Sequence, residues 1–433
     1  MNLMQEVKNS RARESYWEVQ HASGLRIFLY PKKDSHSTYA IFGTNYGSVD
    51  NTFRLAGEDA YTTVPNGIAH YLEHKMFENA DGTDSLLQFA KTGASANAYT
   101  TFDKTCYLFS CADHVYESLE ILLDFVQKPY FTEQTVQKEQ GIIGQEIRMY
   151  DDDPGWQVLF HLLQAMYQEH PVRIDIPGTV ESIAQITPEL LYQCYQTFYN
   201  LHNMALCVVG NFDPQRVLDV CDRLLKPAPD QKIERFFKPE PAGVQSHFVT
   251  AKASVVTPLF YYGFKEDARH PLTDEEEART EILLEALCGA SSPLYGSLLS
   301  QGLINEASFD CESFAGPGYA SVLFSGESKD PKAVADAISR AIADVRQNGI
   351  APEAFARAKK VVYGRMLSGF NSVSSLANAL VSAYFAGRSL FGTLEAIAGA
   401  TPEAVCARLE TELLPDRAVL SVIEPANQAG GKA

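Results

Sequence analysis

Apolar positions along this chain follow two rhythms. Short runs such as Leu25-Arg26-Ile27-Phe28-Leu29-Tyr30, Thr38-Tyr39-Ala40-Ile41-Phe42-Gly43 and Cys106-Tyr107-Leu108-Phe109-Ser110-Cys111 are rich in β-branched and aromatic residues and predict strands. Elsewhere the apolar residues recur every three or four positions, which predicts helices. One such helix runs through Gly67 to about Phe77, with Asn66 as its expected cap and Pro65 just before it. At 100° per residue His70, Glu73, His74 and Phe77 share one face of it, and Ile68, Leu72 and Met76 the other. A second helix, from about Glu133 to Tyr150, carries a stripe of Val136, Ile143 and Ile147 with Glu139 and Glu146 beside it on one face.

The pattern also repeats on a larger scale. Thr187-Pro188-Glu189 opens a helix that leads to the strand Met204-Ala205-Leu206-Cys207-Val208-Val209, and Thr401-Pro402-Glu403 opens one that leads to Arg417-Ala418-Val419-Leu420-Ser421-Val422-Ile423. Proline and charge crowd the stretch 226–243, which reads as a linker. The expected organisation is therefore a domain over 1–225, a linker over 226–243 and a related domain over 244–433, as befits a chain of 433 residues, too long for one ordinary core. The expected fold class is α+β, two α/β sandwich halves, each a mixed sheet with helices packed on it. The only low-complexity run is the Gly/Lys/Ala tail at 430–433.

Composition removes several function classes. A formal charge of -18 repels phosphate backbones, so no nucleic-acid partner is expected. No stretch is read as long enough to span a bilayer, and the amino terminus has no basic patch followed by an apolar run. The expectation is a cytoplasmic protein with no membrane partner. Eight cysteines without CxxC pairs read as reduced, small hydrophobic residues. Asp151-Asp152-Asp153 reads as a solvated turn, and His161, His170 and His202 as surface or capping groups.

The candidate chemistry lies on the two helices. Two imidazoles one turn apart can grip one ion, and a catalytic zinc site uses three protein ligands so that water keeps the fourth position. His70 and His74 supply two, and Glu146 is the candidate third, because a carboxylate at the edge of a buried face needs a partner that a divalent metal provides. Glu139 is the expected orienting group, counted with the catalytic residues, and Glu73 the general base that takes a proton from water. The same spacing also suits two histidines that merely pack and hydrogen-bond. Imidazole and carboxylate suit manganese or cobalt as well as zinc.

His70-Tyr71-Leu72-Glu73-His74, then 71 residues, then Glu146 form the inverted zinc motif with its distant glutamate. Together with Asn66-Gly67-Ile68-Ala69, Gly93-Ala94-Ser95-Ala96-Asn97-Ala98-Tyr99-Thr100, Thr105-Cys106-Tyr107-Leu108-Phe109, Asp153-Pro154, His170-Pro171 and Gly178-Thr179-Val180-Glu181-Ser182-Ile183, the motif resembles the pitrilysin and insulinase family. Ser291-Ser292-Pro293-Leu294-Tyr295 and Gly302-Leu303-Ile304 are similar to its bacterial YmfH-type branch. The resemblance implies two homologous halves closing like a clamshell on an unfolded peptide, a zinc ion in the first half, and a second half that binds no metal. It implies a zinc endopeptidase acting on peptides or unfolded segments, as a homodimer or with a homologous subunit. It also implies that the strand matching Ser95–Tyr99 pairs with the substrate, so that Asn97 and Ala98 are candidate peptide contacts; the plain alternative is an ordinary sheet edge. One departure stands out: Leu298-Leu299-Ser300-Gln301-Gly302-Leu303-Ile304-Asn305 offers neither the Arg nor the Tyr with which family members hold the substrate carbonyl. That departure admits a second function, a peptide-binding or assembly subunit with a zinc site and little turnover of its own.

Overall fold

The computed structural model describes residues 3–268 and 270–426; the 430–433 tail lies outside them. The chain forms two compact units, Met1–Ile147 with Asp175–Phe236 and Leu367–Gly387, and Arg148–Ile174 with Phe237–Met366 and Arg388–Ala433. One boundary, between Phe236 and Phe237, falls inside the 226–243 stretch. The others do not follow chain order, because each unit takes in a segment from the opposite sequence half.

The strands of unit 1 are β1 (Leu3–Asn9), β2 (Glu14–Gln20), β3 (Arg26–Pro31), β4 (Thr38–Thr44), β5 (Thr52–Leu55), β6 (Thr62–Thr63), β7 (Ser95–Thr100), β8 (Thr105–Cys111), β9 (Met204–Gly210) and β10 (Ile233–Arg235). Seven of them form a sheet in the order β1-β2-β3-β9-β4-β8-β7, and the other three a ribbon, β10-β5-β6. The sheet is mixed, since β9 runs parallel to β3 and antiparallel to β4. The hairpin β1–β2 was not read from the sequence; it mixes polar and half-buried positions at the sheet margin, so it shows neither rhythm cleanly. In unit 2, β11 (Phe248–Ala253), β12 (Leu259–Lys265), β13 (Asp310–Gly316), β14 (Tyr319–Glu327) and β15 (Ala418–Pro425) form a mixed sheet in the order β11-β15-β12-β14-β13. The duplication seen in the sequence is reproduced at both ends. Thr187 caps a helix before β9 and Thr401 one before β15, each with proline in the first turn.

Each sheet is covered by a borrowed helix. Val373–Phe385 packs on β4 and β9 of unit 1, burying Leu376, Ala377, Leu380 and Val381. Pro154–Met166, capped by Asp153, packs on β11, β12 and β15 of unit 2. Matching glycines allow the approach. A Cβ on Gly43 of β4 would lie 3.2 Å from Phe385 and 3.3 Å from Val381, and one on Gly263 of β12 would lie 2.7 Å from Met166 and 3.0 Å from Leu162.

Two readings need correction. The stretch Asp274–Ser300 is by length and composition apolar enough to cross a membrane. In the fold it is two helices, Asp274–Cys288 and Pro293–Ser300, and its Ile282, Leu283 and Leu287 fill the core of unit 2. Cys288 and Cys311 are bonded sulfur to sulfur, while six other cysteines are free. His170 caps a short turn as expected but is buried. Its ring bonds Pro317 O at 2.9 Å and accepts from Val172 N at 3.1 Å, and burial pulls its pKa down to about 4.

Candidate metal centre

The motif helix spans Ile68–Lys75, shorter than its periodicity suggests. Asn66 does not cap it; the Asn66 side chain accepts from Asn51 Nδ2 at 2.9 Å instead. The helix begins at Gly67, in the left-handed region at φ 88°, where a Cβ would stand 2.2 Å from Pro177 O. Only glycine fits between the helix and the Pro177-Gly178 loop. Ile68, Ala69, Tyr71 and Leu72 are buried in the core of unit 1, and the Tyr71 hydroxyl donates to Val136 O on the neighbouring helix, Glu133–Asp151. That helix buries Val136, Ile143 and Ile147, the predicted stripe, and so turns Glu139 and Glu146 toward the motif helix.

The two helices bring together the three residues chosen from sequence. His70 Nε2 lies 3.6 Å from Glu146 Oε1, His74 Nε2 lies 3.4 Å from Glu146 Oε2, and one ligand atom from each residue falls within 4.8 Å of the others. These separations are long for direct N–H···O bonds, whose usual range ends near 3.2 Å. They leave room for an ion among the two rings and the carboxylate, since zinc holds such ligands at about 2.0–2.1 Å. His74 Nδ1 meets Glu139 Oε1 at 3.1 Å, so a proton on Nδ1 leaves the Nε2 lone pair turned toward Glu146. The buried His70 Nδ1 has no hydrogen-bond partner among the described residues. The donor set, the convergence of the three residues and the contact of His74 Nδ1 with Glu139 fit a zinc ion.

Glu73 sits beside these ligands, 7 % exposed, with Thr100 Oγ1 donating to its Oε2 at 2.6 Å. Burial is the largest influence on it and raises its pKa, against the opposing pull of His70 and the Thr100 hydroxyl. Burial works to lower the His74 pKa but is overcome by Glu139, Glu73 and Glu146, and the net shift is upward. Glu139 moves the other way: burial pushes up, and His74 and Lys75 bring it below the ordinary carboxylate value. Sequence reasoning passed over Thr100, because threonine at a strand end reads as an ordinary β-former.

A cavity of about 440 Å³ opens next to Glu73, His74 and Glu139, with Phe77, Leu86, Ala96, Asn97, Ala98 and Ile142 among its walls. β7 forms one side of it and is the last strand of the sheet. Asn97 is exposed, and its Oδ1 accepts from the Ala98 N–H at 2.9 Å. Added pairing at that N–H requires the Asn97 side chain to move aside.

A mixed sheet carrying an inverted His-x-x-Glu-His helix, with a glutamate from a neighbouring helix completing a three-ligand set, defines a zinc-protease-like architecture. Comparison with known proteins agrees. Residues 56–180 match the family model described as insulinase (peptidase family M16), and residues 185–362 match the M16 inactive domain. The chain is 41% identical to the uncharacterized zinc protease YmfH of Bacillus subtilis over 98% of its own length and 100% of that protein. The crystal structure of an M16-like peptidase from Alicyclobacillus acidocaldarius superposes with a TM-score of 0.89 at 36% identity, covering 98% of this chain and 99% of that one. A mitochondrial-processing peptidase subunit beta of Schizosaccharomyces pombe is 29% identical over 45% of this chain and 43% of that one. The chain belongs to the insulinase family, peptidase family M16.

Proposed function

We propose that the protein is a zinc-dependent endopeptidase that cleaves extended peptides or unfolded segments. The observation that carries this reading is the convergence of His70, His74 and Glu146 beside a buried carboxylate, Glu73. His70, His74 and Glu146 would hold the ion, with Glu139 fixing the ring of His74. When bound, zinc supplies a Lewis acid and a water acidified to a pKa of about 7. Glu73, buried beside the three ligands, would take the water's proton and deliver it to the leaving amine. The free edge of β7 lays the peptide along the cavity by main-chain hydrogen bonds, with Asn97 releasing Ala98 N–H as the strand adds. In the test, Glu73→Gln keeps one zinc per chain, read by metal mass spectrometry, and loses cleavage of an unstructured peptide by at least about 10²-fold. Cleavage that persists in Glu73→Gln rejects the assigned base.

A second reading is a peptide-binding or assembly subunit that needs a partner for turnover. It is favoured by the lack of an Arg or Tyr over 298–305 and by the match of 185–362 to an inactive domain. A second copy of this chain or a homologous subunit would then supply the missing groups, in keeping with the subunit that the mitochondrial relative is named as. Peptide cleavage by the zinc-loaded chain alone, at a rate unchanged by dilution, rejects this reading.

A further inference from the structure

Behind Glu73 runs a short ladder of hydroxyls. Thr100 Oγ1 donates to Glu73 Oε2 at 2.6 Å and lies 3.2 Å from Thr105 Oγ1, which donates to Tyr46 O at 2.9 Å. Thr105 and Tyr46 are fully buried, so the foot of the ladder is fixed in the core. Each hydroxyl has one hydrogen to give. That of Thr105 is taken by the Tyr46 carbonyl, which leaves the Thr100 hydrogen for the carboxylate. The strand end that carries Thr100 is held from the other side as well. Tyr99 Oη donates to Asn378 Oδ1 at 2.6 Å, and Asn378 Nδ2 donates to Tyr39 Oη at 3.1 Å and to Ser374 O at 2.9 Å. A carboxylate on a flexible side chain is thus tied through one oxygen to a rigid strand end.

We propose that Thr100 is a positioning residue for the general base: its hydroxyl occupies Glu73 Oε2 and so assigns proton transfer to Oε1. This rests on the endopeptidase reading. A base must lie within hydrogen-bond reach of the proton it abstracts, and a displacement of about 1 Å can cost on the order of 10²-fold in rate. Thr100→Val keeps the size of the side chain and its β-branch while removing the donor, and Thr100→Ser keeps the donor.

The experiment uses the full zinc-loaded chain and an unstructured fluorogenic peptide. Thr100→Val is expected to retain one zinc per chain and the wild-type melting temperature, with KM within a few-fold and kcat lower by about 10- to 100-fold. Thr100→Ser is expected to restore kcat to within a few-fold. An unchanged kcat in Thr100→Val, a serine variant as slow as the valine variant, or loss of zinc from Thr100→Val each overturns the assignment. Crystal structures of the loaded variants give a readout independent of turnover. The Glu73 carboxylate should hold one orientation in wild type and Thr100→Ser and turn away in Thr100→Val; an unmoved carboxylate in Thr100→Val overturns the proposal. A loaded wild-type chain that cuts nothing, with or without a partner, instead tells against the endopeptidase reading, and the crystal comparison still decides the role of Thr100.

Discussion

Both units lay a helix against the last strand of a mixed sheet and bring a charged side chain to it from a second helix, yet the charges they gather differ. In unit 1 the motif helix packs against β7 and presents two ring nitrogens to Glu146 of the Glu133–Asp151 helix. In unit 2 the Asp274–Cys288 helix packs against β13 and presents Glu277, Glu281 and Glu285, of which Glu285 pairs with Arg365 of the Pro352–Gly369 helix at 2.8 Å and Glu277 with Arg388 at 2.9 Å. Two imidazoles and a carboxylate in one place form a donor set that could hold a metal ion, whereas two of the three carboxylates in unit 2 pair with guanidinium groups. The scaffold sets where two helices meet, and the side chains decide whether the meeting point binds a metal.

The strongest way to break the comparison is to remove what the units borrow. Deleting 367–387 strips the cover from β4 and β9. The buried Leu376, Leu380 and Val381 alone contribute on the order of 5–8 kcal/mol, comparable to the whole stability of a domain. The deletion should abolish cooperative melting of unit 1 and zinc binding together, followed by calorimetry and metal analysis. A variant that still binds zinc with wild-type affinity would show that the borrowed helix is dispensable.

A smaller effect separates the two helix pairs. Glu139→Gln weakens the bond that fixes the His74 ring, and zinc affinity should fall by about 10- to 100-fold. Glu285→Gln, the matching change in unit 2, should leave it unaltered. Competition with a chelator measures both, and equal effects would contradict the division of roles.

The smallest effect concerns Glu281, whose pKa is pushed up to about 7, by burial first and by Glu277 next. Its folded value lies above the ordinary 4.5, so the fold favours the protonated form. The contribution is complete below pH 4.5 and is lost as pH rises through 7. Glu281→Gln should therefore raise stability near pH 8 by about 1–2 kcal/mol, since solvent reaching the half-buried side chain screens part of what a rise from 4.5 to about 7 implies, and change nothing near pH 4, measured by denaturant titration at both. Destabilisation near pH 8 would show that the ionised carboxylate is held by Arg365 more firmly than burial opposes it.

Much of the centre was legible because a helix has a fixed period: four-residue spacing put His70 and His74 together, and seven-residue spacing put Glu139 and Glu146 together. Family membership was legible from the same motif. The borrowed helices were not, since the apolar face of Val373–Phe385 reads the same whichever sheet it covers. Nor was the contact of Thr100 with Glu73, a neighbour 27 positions away. Asn66 misled because its side chain has a better partner in Asn51, while the close approach of Pro177 demands the glycine that follows.

The borrowed helix also bears on how the chain is made. Translation completes β9 at residue 210, but the segment that covers it ends at residue 385. At about 5–20 residues per second this interval lasts on the order of ten to thirty seconds, during which the sheet of a nascent unit 1 has a sticky, uncovered side. The candidate metal centre's strand, whose end is tied to Asn378, is thus secured late in synthesis, and a ribosome stalled near residue 240 leaves that strand end without its anchor.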